Sequence, residues 1–177
     1  VEVGEPLDFD AFAKRIRERQ REGAINVNFL GGEPTIHAHA ILELALRMPD
    51  DLPIVFNSNM YFSRECFALL DGVVSIWLAD LKFGSEACAQ RLSGAPRYLS
   101  TVRENLCLAS TSGRLMVRHL VMPNHITCCT IPSLDWLASA LPQIEVSLME
   151  QYVPVHRAEG DREMGRMATG AEEGQAR

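Results

Sequence analysis

The chain has 177 residues, a formal net charge of −6 and 47% hydrophobic residues, enough for one domain with a sizeable core and too little for two large ones. Its mild acidity comes without a basic stripe, which argues against a nucleic-acid partner. No stretch of ~18 apolar residues offers a membrane span, and with no signal peptide at the amino end the expected location is the cytoplasm.

A helix is expected over 8–22, with Asp8 as N-cap, Phe9, Phe12, Ala13 and Ile16 as its apolar stripe and Gly23 as C-cap. The apolar run 25–30 reads as a buried strand that ends in Gly31-Gly32-Glu33-Pro34-Thr35. A second helix follows over 37–47, turning Ile41, Leu42, Leu44, Ala45 and Met48 inward. Strand 53–57 runs into Ser58-Asn59-Met60-Tyr61, and Ser63 caps a helix that reaches Leu70. Strand 73–79 ends at Asp80-Leu81-Lys82. Helices at 85–92, closed by Gly94, and at 97–110 come next. Strand 115–121 leads to Met122-Pro123-Asn124-His125, a helix covers 131–140, and a fifth strand lies at 144–149.

Strands alternating with helical segments of ~10–15 residues predict an α/β fold with a parallel sheet wound right-handed. Five strands do not close an eight-stranded barrel, so an open, partial (βα) barrel over 1–156 is expected. Residues 157–177 are rich in Ala, Glu, Gly and Arg, with little apolar surface to offset ordering entropy, and predict a disordered tail.

Cys66, Cys88, Cys107, Cys128 and Cys129 are odd in number and widely spaced, which favours reduced thiols, mostly small buried hydrophobes, over a disulfide framework. His37 and His39, two apart at a helix start, point away from each other and suit a solvated face. His125 reads as a loop residue, and Trp77 and Trp136 as core or interface anchors.

Chemistry concentrates at the strand ends. After the first strand, two glycines allow close backbone approach by a ligand and Glu33 can pair with a cationic group on it. Asp80 and Lys82, two apart on an extended segment, point the same way. Asn59 is equally suited to a turn or to a site. Of Arg118 and His119, one faces the barrel interior and the other packs outward.

These motifs come in a fixed order. The Gly31–Thr35 and Asn57–Tyr61 strand ends are followed by Leu78–Gly84, Arg91–Tyr98, Val117–Pro123 and Ser147–Tyr152. Over about residues 5–158 the set resembles radical S-adenosylmethionine (SAM) enzymes, more narrowly the group related to pyruvate formate-lyase activating enzyme. The resemblance implies a six-stranded open (βα) barrel, of which five strands amount to a partial barrel lacking its first strand. It implies SAM and a [4Fe–4S] cluster as cofactors and radical hydrogen abstraction as the activity. It also implies a protein or small-molecule substrate and a reductant such as flavodoxin or ferredoxin. Gly31, Gly32 and Glu33 match the motif that holds the SAM amino group. Asp80 and Lys82 match the Asp-x-Lys pair, with Lys82 toward the SAM carboxylate, and Asn59 and Arg118 take polar positions at strand ends.

One family feature is missing from these residues: three cysteines spaced Cys-x-x-x-Cys-x-x-Cys, normally placed after the first strand. Cys128 and Cys129, read as adjacent strand residues facing opposite ways, do not replace them, and no metal ligand is assigned. The expectation is a truncated member that is catalytically silent alone, and whose strand 25–30 becomes an edge favouring poor solubility or oligomerisation. Two other readings are a non-catalytic degenerate barrel serving as a binding module, and a lyase using Lys82 as a Schiff-base amine.

Overall fold

The computed structural model describes residues 7–177. Five strands, β1 (Val27–Phe29), β2 (Ile54–Ser58), β3 (Ile76–Asp80), β4 (Arg114–Leu120) and β5 (Glu145–Met149), form one parallel sheet in the order β1-β2-β3-β4-β5. The sheet is open, and each strand pairs only with its neighbours in sequence. Register aligns Phe56 with Trp77 and Asp80 with Arg118, which puts all carboxyl-terminal strand ends along one edge.

Helix α1 (Phe9–Arg21) precedes β1; α2 (Ala38–Ala45), α3 (Arg64–Leu70), α4 (Glu86–Ser93), α5 (Tyr98–Ser112) and α6 (Ile131–Ala140) lie between strands, and α7 (Gly170–Ala176) follows β5. Local chemistry accounts for several of their ends. Asp8, Ser63 and Ser85 each accept a hydrogen bond from a first-turn amide, and Gly94 closes α4 in the left-handed region at φ 71°. At α5, Arg97 supplies no side-chain cap. Glu86 of α4 does so instead, its carboxylate accepting from the Tyr98 and Leu99 amides at 2.9 and 2.8 Å.

β2 is buried on both sides over Ile54, Val55 and Phe56, whereas β3 and β4 alternate between two faces, as the period of two requires. On one, Phe56, Trp77, Ala79 and Val117 are fully buried beneath Phe67, Leu70, Val102, Leu106 and Leu137 from the helices. On the other, Asn57, Leu78, Asp80, Met116, Arg118 and Leu120 are only half-buried. A second apolar cluster joins Ala13 and Ile16 of α1 to Leu44 of α2 and Ile54 of β2.

The turn after β2 holds Met60 at φ 58°, a backbone region disfavoured for a side chain of that size, while burying it completely. Asn105, 1% exposed on α5, fixes this turn by donating to the Met60 and Phe62 carbonyls at 2.8 and 2.9 Å. Asn105→Ala strands two carbonyls and is expected to cost about 2–3 kcal/mol, read as a drop in the urea midpoint at unchanged slope.

Residues 157–177, for which composition implies disorder, carry a short 3₁₀ turn (His156–Gly160) and α7. Met164 is buried in the main core with Ala158 packed against it, and charged pairs add to this anchoring. Glu172 accepts from the Asn124 amide at 2.7 Å and pairs with Arg166, whose guanidinium also donates to Asn124 Oδ1 at 2.8 Å. Ala176 packs on Val121 and Ile126.

Candidate functional site at the strand ends

After β1 the chain turns through Gly31, which sits at φ 152°, and Gly32; both are exposed, and a Cβ added at either would meet nothing within 4 Å. The two glycines thus leave open backbone beside Glu33. Glu33 is half-buried and ties two strand ends together. Its Oε1 accepts from the Ser58 hydroxyl at 2.7 Å and the Thr35 hydroxyl at 3.0 Å, and its Oε2 from the Asn59 amide at 2.9 Å. Asn59 does turn work as well, its Oδ1 accepting from the Tyr61 amide at 2.8 Å.

Across the half-buried face runs a second polar chain. Arg118 donates from Nε to Asp80 Oδ1 at 2.8 Å and from Nη2 to Asn57 Oδ1 at 2.6 Å, reaching from β4 over β3 to β2. The other Asp80 oxygen pairs with Lys82 Nζ at 3.3 Å. Arg118 therefore takes the open face, and its neighbour His119 packs outward, fully buried. Lys82 remains 44% exposed at its side chain and its amide donates to the Tyr98 hydroxyl at 2.9 Å. Burial, opposed by hydrogen bonds from the Lys82 and Phe83 amides, pushes the Tyr98 phenol up to about 12, so it stays protonated.

Lys82 and Asn59 share a cleft of about 340 Å³ with Tyr61, Phe83 and the 93–98 turn. Tyr61 stacks on Tyr98 with centroids 6.0 Å apart, and Tyr61 Oη donates to the Pro96 carbonyl at 2.8 Å. Glu33 and Lys82 thus lie along the same carboxyl-terminal edge, linked through Asn59.

No protein-family model matches the chain. MJ0674, an uncharacterised protein of Methanocaldococcus jannaschii, is 38% identical over 155 residues, which is 88% of this chain and 46% of that protein. The chain therefore spans about half the length of the curated relative it matches. Among solved structures, a domain of pyruvate-formate lyase-activating enzyme from Bacteroides vulgatus superposes with a TM-score of 0.63 at 17% identity, covering 85% of this chain and 89% of that one. SuiB of Streptococcus suis, solved bound to the precursor peptide SuiA, superposes with a TM-score of 0.65 at 14% identity, covering 83% of this chain and 33% of SuiB.

The chain has the radical SAM partial-barrel fold. Gly31, Gly32, Glu33, Asn59, Asp80, Lys82 and Arg118 all stand at the carboxyl-terminal strand edge or on the half-buried face behind it. Among the described residues no helix is long and apolar enough to cross a membrane. His37 and His39 are exposed, in line with a solvated face.

A second group of side chains departs from the sequence reading. Residues 126–130 are not strand but a π-helical turn, in which the Thr130 amide reaches back to the His125 carbonyl at 3.2 Å. Cys128 and Cys129 consequently turn toward Cys88 of α4 instead of facing opposite ways, and His125 is buried at 2% exposure. Cys88 Sγ lies 3.5 Å from Cys128 Sγ and 3.7 Å from His125 Nδ1, and His125 Nδ1 is 3.1 Å from Cys128 Sγ. With Cys129 Sγ, all four donor atoms fall within 4.8 Å of one another. The signal that would have revealed this is His125, Cys128 and Cys129 at i, i+3 and i+4, one face of a helical turn. Cys66 and Cys107 stand apart, half-buried and exposed.

His119 anchors the same turn. Its Nδ1 contacts the Leu81 carbonyl at 2.6 Å and its Nε2 the Thr130 hydroxyl at 3.0 Å. Burial, outweighing the Leu81 carbonyl, holds the imidazole below its ordinary value of 6.5. A depressed histidine contributes stability fully above the unfolded value and loses it as pH falls through that value toward the folded one. The urea midpoint is therefore expected to drop as pH falls below the ordinary histidine value of 6.5, with a smaller drop in His119→Gln. Equal drops in both proteins would remove His119 from the account.

Proposed function

We propose that the chain is the SAM-binding portion of a radical SAM protein of the activating-enzyme-like group. The observation that carries this reading is the shared edge. Open glycine backbone at Gly31 and Gly32, the Glu33 carboxylate and the Lys82 ammonium line one mouth. These residues fit a sulfonium amino acid with a ribose. Glu33 would hold the ammonium through charge-assisted hydrogen bonds of about 1.5–3 kcal/mol. Lys82 would meet the carboxylate, Asp80 would orient Lys82 or take a ribose hydroxyl, and Asn59 would complete the polar rim. Arg118 stiffens Asp80 from the open face.

When bound beside a reduced [4Fe–4S] cluster, SAM supplies a carbon radical that abstracts hydrogen from a substrate. The residues described here do not fit that cluster. None of the cysteines carries the three-thiolate spacing, and the Cys88–Cys128–Cys129 set is drawn in around the volume of a single ion. The part this chain plays is to bind, orient and screen SAM. The peptide held by SuiB makes a peptide or protein segment the first substrate class to try, with flavodoxin or ferredoxin as reductant, in the cytoplasm.

A second reading, a non-catalytic binding module on the same fold, draws on the mutual pairing of Asn57, Arg118, Asp80 and Lys82, which suits a static scaffold. The lyase reading is disfavoured because Lys82 is exposed and paired with Asp80, whereas an amine nucleophile needs desolvation. Amide NMR of the ¹⁵N-labelled chain with SAM discriminates between the two readings. Saturable shifts at residues 31–33, 59 and 82, lost in Glu33→Gln, are expected; their absence at millimolar SAM would sink the proposal.

A further inference from the structure

The geometry points to a second site: Cys88, His125, Cys128 and Cys129 form a closed, mononuclear site for a thiophilic divalent cation of the zinc class. The inference stands apart from the reading of the mouth, because none of its donors lines the cleft at Lys82.

Distances carry the argument. Around a tetrahedral zinc ion with bonds of about 2.3 Å to sulfur and about 2.0–2.1 Å to nitrogen, ligand atoms sit about 3.5–3.8 Å from one another. Here the Cys88–Cys128 and Cys88–His125 separations are 3.5 and 3.7 Å, and the Cys128–His125 separation of 3.1 Å needs only a few tenths more. A four-iron cubane spreads its cysteine sulfurs over a much larger polyhedron, so one ion fits and a cluster does not. Three thiols and an imidazole, with no carboxylate among them, select a borderline-soft metal over magnesium or calcium. Four protein donors leave no open position, and Cys129 is fully buried, so the site is structural.

The surroundings match what such a site needs. Gly84 packs against the Cys129 backbone so closely that a Cβ there would collide with the Cys129 carbonyl, which holds the β3–α4 loop against the π turn. Three thiolates would leave the loaded site one negative charge in excess, and the Arg91 guanidinium stands 3.1 Å from His125 Nε2 to offset it. With Nδ1 on the metal, Nε2 carries the ring proton, so the Arg91 donor now 3.1 Å away has to move aside, and the acceptor within reach is Glu163 Oε2, 3.9 Å away and bound to Arg91 at 2.6 Å. The ion would join α4 to the segment after β4, closing a loop from residue 88 to residue 125.

The test uses the intact 177-residue chain, purified reduced from zinc-supplemented medium. Elemental analysis is expected to return one zinc per chain. Exchange into cobalt(II) should give the intense visible bands of a tetrahedral thiolate complex. Cys88→Ser and Cys128→Ser should lose the metal, whereas Cys107→Ser, an exposed thiol outside the group, should keep it. Should a ligand variant fail to fold, the wild-type metal content and cobalt spectrum decide alone. Metal-free protein without those bands, or equal metal retention by folded Cys128→Ser, would overturn the site.

Discussion

Trp77→Ala will lower the unfolding free energy by about 3–5 kcal/mol, the largest single effect expected in this chain. Trp77 is fully buried on β3, stacked on Phe67 at 4.9 Å and edge-on to Phe56 at 5.6 Å, so alanine empties the middle of the main core. A second substitution separates packing from polarity. The Trp77 indole N–H has no partner among the described residues, and a buried orphan donor costs about 1–3 kcal/mol. Trp77→Phe removes that orphan along with part of the volume, so the two effects oppose each other. Its loss should stay under about 1.5 kcal/mol. Urea denaturation of both variants checks the pair; equal losses would mean that the six-membered ring contributes nothing to packing.

The second large effect is expected at Glu33. Glu33→Ala removes the acceptor shared by the Ser58 hydroxyl, the Asn59 amide and the Thr35 hydroxyl, and so unties β1 from β2 at the mouth. Ser58 is buried at 2% exposure, so its hydroxyl cannot simply turn to water. A loss of about 2–3 kcal/mol follows, together with loss of SAM-dependent amide shifts. Glu33→Gln supplies the contrast: it keeps one oxygen and most of the shape but lacks the charge. It should hold most of the stability and lose the ligand response. If Glu33→Gln binds SAM as wild type does, the carboxylate serves the loop alone.

The fold was largely legible because its signals are local. β2, β3 and β4 show as short apolar runs, Asp8 and Ser63 announce helix starts, and Gly94 announces an end. The convergence of Glu33, Asp80 and Lys82 on one edge follows from parallel strands, since equivalent ends then line up. Three features were hidden for physical reasons. The π turn at 126–130 has no propensity signature, and without it Cys128 and Cys129 read as diverging neighbours. The order at 157–177 rests on a few isolated apolar anchors, Met164 and Ala176, and on paired charges such as Arg166 with Glu172, neither of which gives a periodic pattern. A third, the capping of α5 by Glu86, depends on two helices meeting and not on the residue before Tyr98.

Because every strand of the sheet touches only the strands before and after it in the chain, the molecule can assemble vectorially as it leaves the ribosome. Each new βα unit docks on a strand already made, across a crossover that carries at least one helix. The reverse holds for fraying: opening should begin at β1 and β5 and reach β3 last, so amide exchange should be graded from the flanks to the middle.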